Sequence, residues 1–249
     1  MPTQLPLFAY PLVSQVSFDS AALTMKAVLA HPLRQAGTYH GIVMLGERFL
    51  AGFVVEVTEA AEAVQVNVDL AELHQLGRGT APNEVVKRYE IKVGGWVVCH
   101  VSHGEGGYYA TLRKVSQRTI WDSHQLESGD IFSMIPLRPG IYSLSNLANP
   151  NHAAVPLVVE YPDPRANERR RSRPLPIYAV CRDSGFEPSE IHLRPGQGMV
   201  LTIETRAHIH LTLQRPDDGS EELRQWYADQ QAELIRRTHQ RGRPRTRQA

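Results

Sequence analysis

His208 and His210 stand two residues apart in Ala207-His-Ile-His-Leu-Thr-Leu213. In an extended strand that spacing sends both imidazoles from one face, where neighbouring rings can converge on a single ion. A transition metal held there needs a further ligand, and His152 is the candidate, with His192 or a loop donor as the other sources. The competing reading is a solvent-facing polar pair opposite Ile209 and Leu211. Cys99, His100 and His103 form a second cluster. Adjacent residues of a strand point to opposite faces, so Cys99 and His100 share an ion only if the strand is bulged. A core cysteine beside edge histidines is the simpler account. Asp122-Ser123-His124 carries the letters of a catalytic triad, but triads assemble from residues distant in sequence. The loop His103-Gly-Glu-Gly-Gly107 lacks the lysine and following helix of a phosphate-binding loop. No catalytic residue is assigned, and the chain reads as non-catalytic without a cofactor, the alternative being one transition metal ion.

The elements that carry these residues are mostly strands. Glu190–Leu193, Met199–Glu204 and Ala207–Leu213 alternate apolar and polar residues with period two, putting Ile191 and Leu193, Met199, Leu201 and Ile203, and Ile209, Leu211 and Leu213 on buried faces. Arg194-Pro195-Gly196 supplies turn chemistry between the first two, which predicts an antiparallel meander with one buried face. Upstream, 22–29, 39–45, 49–57 and 64–70 read as strands, with Gly46-Glu47 as a hairpin turn and 71–76 as a helical turn before Gly77. Strand patterning resumes over 85–93, 96–101, 108–115, 117–121, 131–135 and 141–144. After Pro216, Ser220 looks like an N-cap followed by Glu221 and Glu222, and Leu223, Trp226, Tyr227, Leu234 and Ile235 form an apolar stripe at helical spacing.

Phe186-Glu-Pro-Ser-Glu-Ile-His-Leu-Arg-Pro-Gly-Gln197, followed by a strand and a histidine-bearing strand, resembles the opening half of a cupredoxin domain. Gly129-Asp-Ile-Phe-Ser133, Leu137-Arg-Pro-Gly-Ile-Tyr142 and Asn149-Pro-Asn-His-Ala-Ala-Val155 resemble its closing half. The resemblance implies the family's β-sandwich scaffold. It also implies loss of copper: about Asn146 stands where the family has its cysteine, His152 stands at the second histidine, and nothing replaces the methionine. Soft sulfur ligands are what select a blue-copper site.

Length and composition set the frame. The 249 residues are 42% hydrophobic, with two cysteines and a net charge of +1. No apolar run reaches membrane-spanning length, the first ten residues lack a signal peptide's basic start, and two cysteines make no disulfide framework, so a cytoplasmic protein is expected. Residues 165–173 hold five arginines and one glutamate, and 236–247 hold six arginines and no acid. Of 27 basic and 26 acidic residues, 16 and 25 remain elsewhere, an acidic body with two basic segments. The expected fold is mainly β: antiparallel β-sandwich domains, cupredoxin-like in the C-terminal part, with one C-terminal α-helix and a basic tail. The expected domains are 1–80 (an N-terminal β unit), 84–215 (the sandwich, permuted or split at a linker near 162–176) and 220–249 (helix and disordered tail). The expected role is structural or adaptor-like. A protein partner or a second copy is bound through Leu223, Trp226, Tyr227, Arg236, Arg237, Arg241, Arg243, Arg245 and Arg247. Metal-dependent chemistry at the histidines and nonspecific nucleic-acid binding by the tail are the alternatives, and no membrane is involved.

Overall fold

A computed structural model describes residues 15–79, 81, 84–116, 120–160 and 174–217. The first strands are β1 (Ser17–Asp19), β2 (Ala27–Pro32), β3 (Gly37–Leu45), β4 (Arg48–Thr58) and β5 (Gln65–Asp69), followed by the single described helix, α1 (Leu70–Leu76). Next come β6 (Val85–Lys92), β7 (Trp96–His100), β8 (Tyr108–Lys114), β9 (Ile120–Asp122), β10 (Ile131–Met134) and β11 (Gly140–Asn146). The last are β12 (Val155–Val159), β13 (Ile177–Arg182), β14 (Gly185–Glu187), β15 (Ile191–Leu193), β16 (Met199–Ile203) and β17 (Ile209–Pro216). They form three sheets: I, ordered β1-β17-β11-β12-β15; II, ordered β14-β13-β16-β10-β2-β7-β5; and III, ordered β6-β4-β3-β8-β9.

The chain winds as a β-solenoid of about four turns, mainly β with one short helix, and not as a cupredoxin-like antiparallel sandwich. Both the cupredoxin resemblance and the sandwich fold class are overturned by how the strands are shared out. Sheet II takes β2, β5 and β7 from the first hundred residues and pairs β2 with β10, Ile131 opposite Ala30. Parallel ladders join β4 to β6, β5 to β7, β12 to β15 and β13 to β16. The meander expected over 190–213 is absent: β15 and β17 lie in sheet I, whereas β16 between them lies in sheet II. Arg194-Pro195-Gly196 is a turn, but one that carries the chain from one sheet to another. Local alternation and turn residues predict strands and where they stop; they do not say which strand becomes whose neighbour.

Within each strand the pleat behaves as its pattern demands. Met199, Leu201 and Ile203 are buried while Val200 and Thr202 are half-exposed, and Ile209 and Leu211 are buried between half-exposed histidines. β4 differs, being buried continuously from Leu50 to Val55, because it runs between β3 and β6 with α1 against it. The helix is started by Asp69, whose carboxylate accepts from the N–H of Ala71 and of Glu72 at 3.0 and 3.4 Å, satisfying two of the free donors of its first turn. It stops at Gly77, where a β-carbon would lie 2.2 Å from the Leu50 carbonyl oxygen. The inward rows of all three sheets contribute to one continuous hydrophobic core. The expected C-terminal helix and basic tail, and the linker near 162–176 but for its last three residues, lie outside the described residues.

Candidate functional site

Sheets II and III leave a cleft of roughly 100 Å3 between them, lined by His31, Leu33, Tyr39, Leu112, Lys114, Trp121 and Glu127. His31 comes from β2, Tyr39 from β3, Lys114 from the end of β8 and Trp121 from β9. Beneath them lies Asp130, fully buried in the turn ahead of β10. Its carboxylate accepts from Trp121 Nε1 at 3.0 Å and from the Glu127 N–H at 2.9 Å, both on Oδ2. His31 Nδ1 lies 2.7 Å from Oδ1. Facing a carboxylate, that nitrogen is the donor, and three N–H groups then offset the cost of taking the charge out of water. The turn is anchored to β16 on both sides: Gly129 N–H donates to Ile203 O at 2.8 Å, and Ile203 N–H to Asp130 O at 2.9 Å. Gly129 has φ +100°, and a β-carbon there would meet the Arg34 guanidinium at 2.7 Å, so only glycine leaves Arg34 its place.

The imidazole is therefore held twice, by the buried carboxylate and by stacking on Trp121, with ring centroids 4.6 Å apart and planes at 26°. With Nδ1 committed, Nε2 is the accepting or proton-binding atom and has no hydrogen-bond partner among the described residues. Across the cleft Lys114 Nζ donates to Gln35 Oε1 at 3.1 Å and lies 5.9 Å from the centre of the Tyr39 ring. Tyr39 donates its hydroxyl to Gln35 O at 3.0 Å, and burial pushes its phenol above the ordinary range. No serine, threonine or cysteine is among the described lining residues, and the Tyr39 hydroxyl is committed to Gln35 O.

No family model, curated protein or solved structure matches this chain. Its chemistry has to be read from the side chains alone.

The histidines singled out by spacing are each engaged locally. His208 Nε2 lies 2.7 Å from Asp19 Oδ1 on the neighbouring β1, and Thr212 Oγ1 lies 3.1 Å from the His210 ring nitrogens. His152 directs Nε2 at the Asp183 carbonyl, 2.7 Å away, and its Nδ1 is buried without a hydrogen-bond partner. Among the described residues no group of three or more His, Cys, Asp or Glu is arranged to hold a metal ion. Asn146, the residue standing at the cysteine position of the cupredoxin pattern, is a buried clasp. Its Oδ1 accepts from the N–H of Ala148 and of His208 at 3.1 and 2.9 Å, while Nδ2 donates to Arg206 O at 3.2 Å. Cys99 and Cys181 are buried free thiols. Desolvation, helped by the Asp130 charge, pushes Cys99 up to about 12. Cys181 rises to about 11, again mainly by burial. His100 turns to the opposite face of β7, 4.0 Å from Asp69. Asp122 and His124 do pair, at 2.7 Å, but Ser123 between them is buried and accepts from Ala110 N–H. The proposed partner-binding residues Leu223, Trp226, Tyr227 and Arg236 to Arg247 lie outside the described residues.

The His31 cleft escaped sequence reading because its members are 31, 39, 114, 121 and 130, with no motif spacing. One signal was present: Asp130 follows a glycine at a strand entrance, where a turn aspartate is ordinary, yet here it is the buried one.

Proposed function

We propose that this protein is a non-catalytic binding protein whose cleft at His31 grips an acidic side chain of a protein partner. The observation that carries the reading is the buried Asp130 carboxylate, which accepts three hydrogen bonds, one of them from the His31 imidazole at the mouth of a cleft that Lys114 also lines. Fixing a donor in advance removes part of the entropy cost of binding. Lys114 has committed one of its ammonium hydrogens to Gln35, which leaves two for a ligand. The size supports a side chain as the occupant: small-molecule sites commonly span ~300–1,000 Å3, several times this cleft. A carboxylate fits the size and the Lys114 ammonium, and such charge-assisted bonds are the strong ones.

The test is a pair of short peptides, one carrying glutamates and its counterpart carrying glutamines, titrated against the full chain by NMR. The acidic peptide should shift the His31 ring and Lys114 side-chain signals and bind at least about tenfold more tightly than the amide peptide, a difference of ~1.4 kcal/mol. Lys114→Met should abolish that preference while leaving the fold intact. Equal binding of the two peptides, or none at the cleft, would sink the reading.

A further inference from the structure

At the end of sheet III away from the His31 cleft, two arginines gather with no acid paired to them. Arg48 opens β4 and pairs in register with Leu45, the last residue of β3, which pairs in turn with Tyr108, the first of β8. Paired residues share a face of the sheet, so the three form one row across three strands, ~10 Å long. Helix α1 packs on the same strands and brings His74 to this row. Gly77, its stop, sits so close to β4 that a β-carbon would lie 2.2 Å from the Leu50 carbonyl oxygen. That close approach seats the next residue, Arg78, at the start of β4, where Arg48 stands. His74 Nδ1 lies 3.0 Å from the Tyr108 hydroxyl, with ring centroids 5.8 Å apart and planes at 65°. The loop ahead of β8 closes the far side: Gln75 Nε2 lies 2.5 Å from His103 Nε2, and His103 Nδ1 lies 2.7 Å from Ser102 Oγ.

We infer that this rim binds a phosphate group, as the free dianion or as the terminal group of a small phosphomonoester. Arg48 and Arg78 are both exposed, and neither guanidinium has an ion-pair or hydrogen-bond partner among the described residues. The nearby acids are engaged elsewhere or stand apart. Asp69 accepts from the N–H of Ala71, Glu72 and Ser102, and Glu72 pairs with Lys87 at 2.9 Å. Glu47 and Glu105, in the two flanking turns, are exposed and make no ion pair among the described residues. A phosphate supplies what two such cations lack: close to two negative charges on three acceptor oxygens, a shape that guanidinium forks match. A carboxylate brings one charge and two oxygens, enough for one arginine. Burial, and then the Arg78 and Arg48 charges, hold His74 below its ordinary range, so the imidazole is neutral at pH 7. The Tyr108 hydroxyl has no other acceptor among the described residues and donates to Nδ1, which leaves the N–H on Nε2 as a further donor. Leu45, 37% exposed between Arg48 and Tyr108, offers an apolar surface to the carbon part of an ester. The rim is independent of the His31 cleft: Tyr108 and Lys114 are opposite ends of β8, ~20 Å apart.

NMR titration of the full chain in chloride buffer tests this, with inorganic phosphate in one arm and phenyl phosphate in the other. Both probes should move the Arg48 and Arg78 side-chain signals and the His74 ring along saturable curves, binding at least about tenfold more tightly than acetate at equal ionic strength. Tighter binding of phenyl phosphate assigns the rim to a monoester and equal binding assigns it to phosphate itself; either result supports the site. Saturating probe should also raise the His74 titration midpoint, because the bound anion offsets the two neighbouring cations. Arg48→Gln and Arg78→Gln should each weaken binding at least about tenfold without changing Tm. Arg113→Gln, exposed and paired with His40 on the outer face of the same sheet, should leave binding as it was. Shifts that never saturate, acetate binding as tightly as phosphate, an unmoved His74 midpoint, or an equal loss from Arg113→Gln would each overturn the inference.

Discussion

Cys99 shows how burial sets chemistry at a single residue. The thiol sits on the inward side of β7, fully buried, with the Asp130 charge close enough to oppose a second negative charge. Desolvation raises its pKa from 9.0 to about 12, so at neutral pH it is a small hydrophobe and not a nucleophile. The sign of the linkage follows. The folded pKa exceeds the unfolded one, so the protonated thiol favours the native state, fully so below pH 9, and this contribution is lost as pH rises through about 12. Stability measured by urea titration should therefore fall between pH 9 and pH 12. Cys99→Ala should flatten that fall even if it lowers stability at pH 7. A slope unchanged by the substitution would show that the thiol stays protonated in both states. The same residue-scale view explains Asn146, whose amide spends its groups on closing the turn after β11.

At the scale of elements the β3–β4 hairpin is the most local piece of the fold, turning at Gly46 with φ +55°. Gly41 pairs with Phe53, and a β-carbon on Gly41 would fall 2.2 Å from the Phe53 ring. Phe53 is fully buried on β4, so the ring has no free volume to move into. Gly41→Ala should cost ~1–3 kcal/mol as overpacking and lower Tm by several degrees at ~2–4 °C per kcal/mol for a chain of this size; an unchanged Tm in a thermal melt would mean that the ring relocates. Elements of this kind were legible in advance. The alternation over 199–204 and 207–213 marks β16 and β17 with their buried residues, except that Leu213 is half-exposed, Gly46-Glu47 marks the hairpin, and the helical turn over 71–76 is α1. The partners of those strands were not legible, because Leu137-Arg-Pro-Gly140 and Leu193-Arg-Pro-Gly196 are alike as turns whatever sheet the chain enters next. The cupredoxin resemblance rested on such turns, so it carried strand order into a fold that has another. The site failed to show for a related reason: His31 and Asp130 are 99 residues apart, and only the pairing of β2 with β10 brings them together.

For the whole molecule the decisive feature is sheet II. Its central pair joins β2 to β10, and its strands are drawn from residues 27–32 through 199–203. A cut at 80–84 would separate β2 and β5 from β7 and β10, leaving each piece with unpaired edges and half a core. The inward residues of all three sheets already belong to one hydrophobic cluster, so the two pieces have no separate interiors to fall back on. Calorimetry of the full chain should give one transition with van't Hoff and calorimetric enthalpies equal, as cooperative domains do. Fragments 1–80 and 84–249 should each lack a transition and regain one on mixing. Two resolved transitions, or a fragment 84–249 that melts cooperatively by itself, would mean that the β2–β10 and β5–β7 ladders contribute little to stability. Pairing over such sequence separations also makes loop closure slow. Refolding from urea should therefore lag well behind that of a helical chain of equal length, with the His31 cleft forming only in the final phase, when β2 meets β10 and Asp130 leaves water.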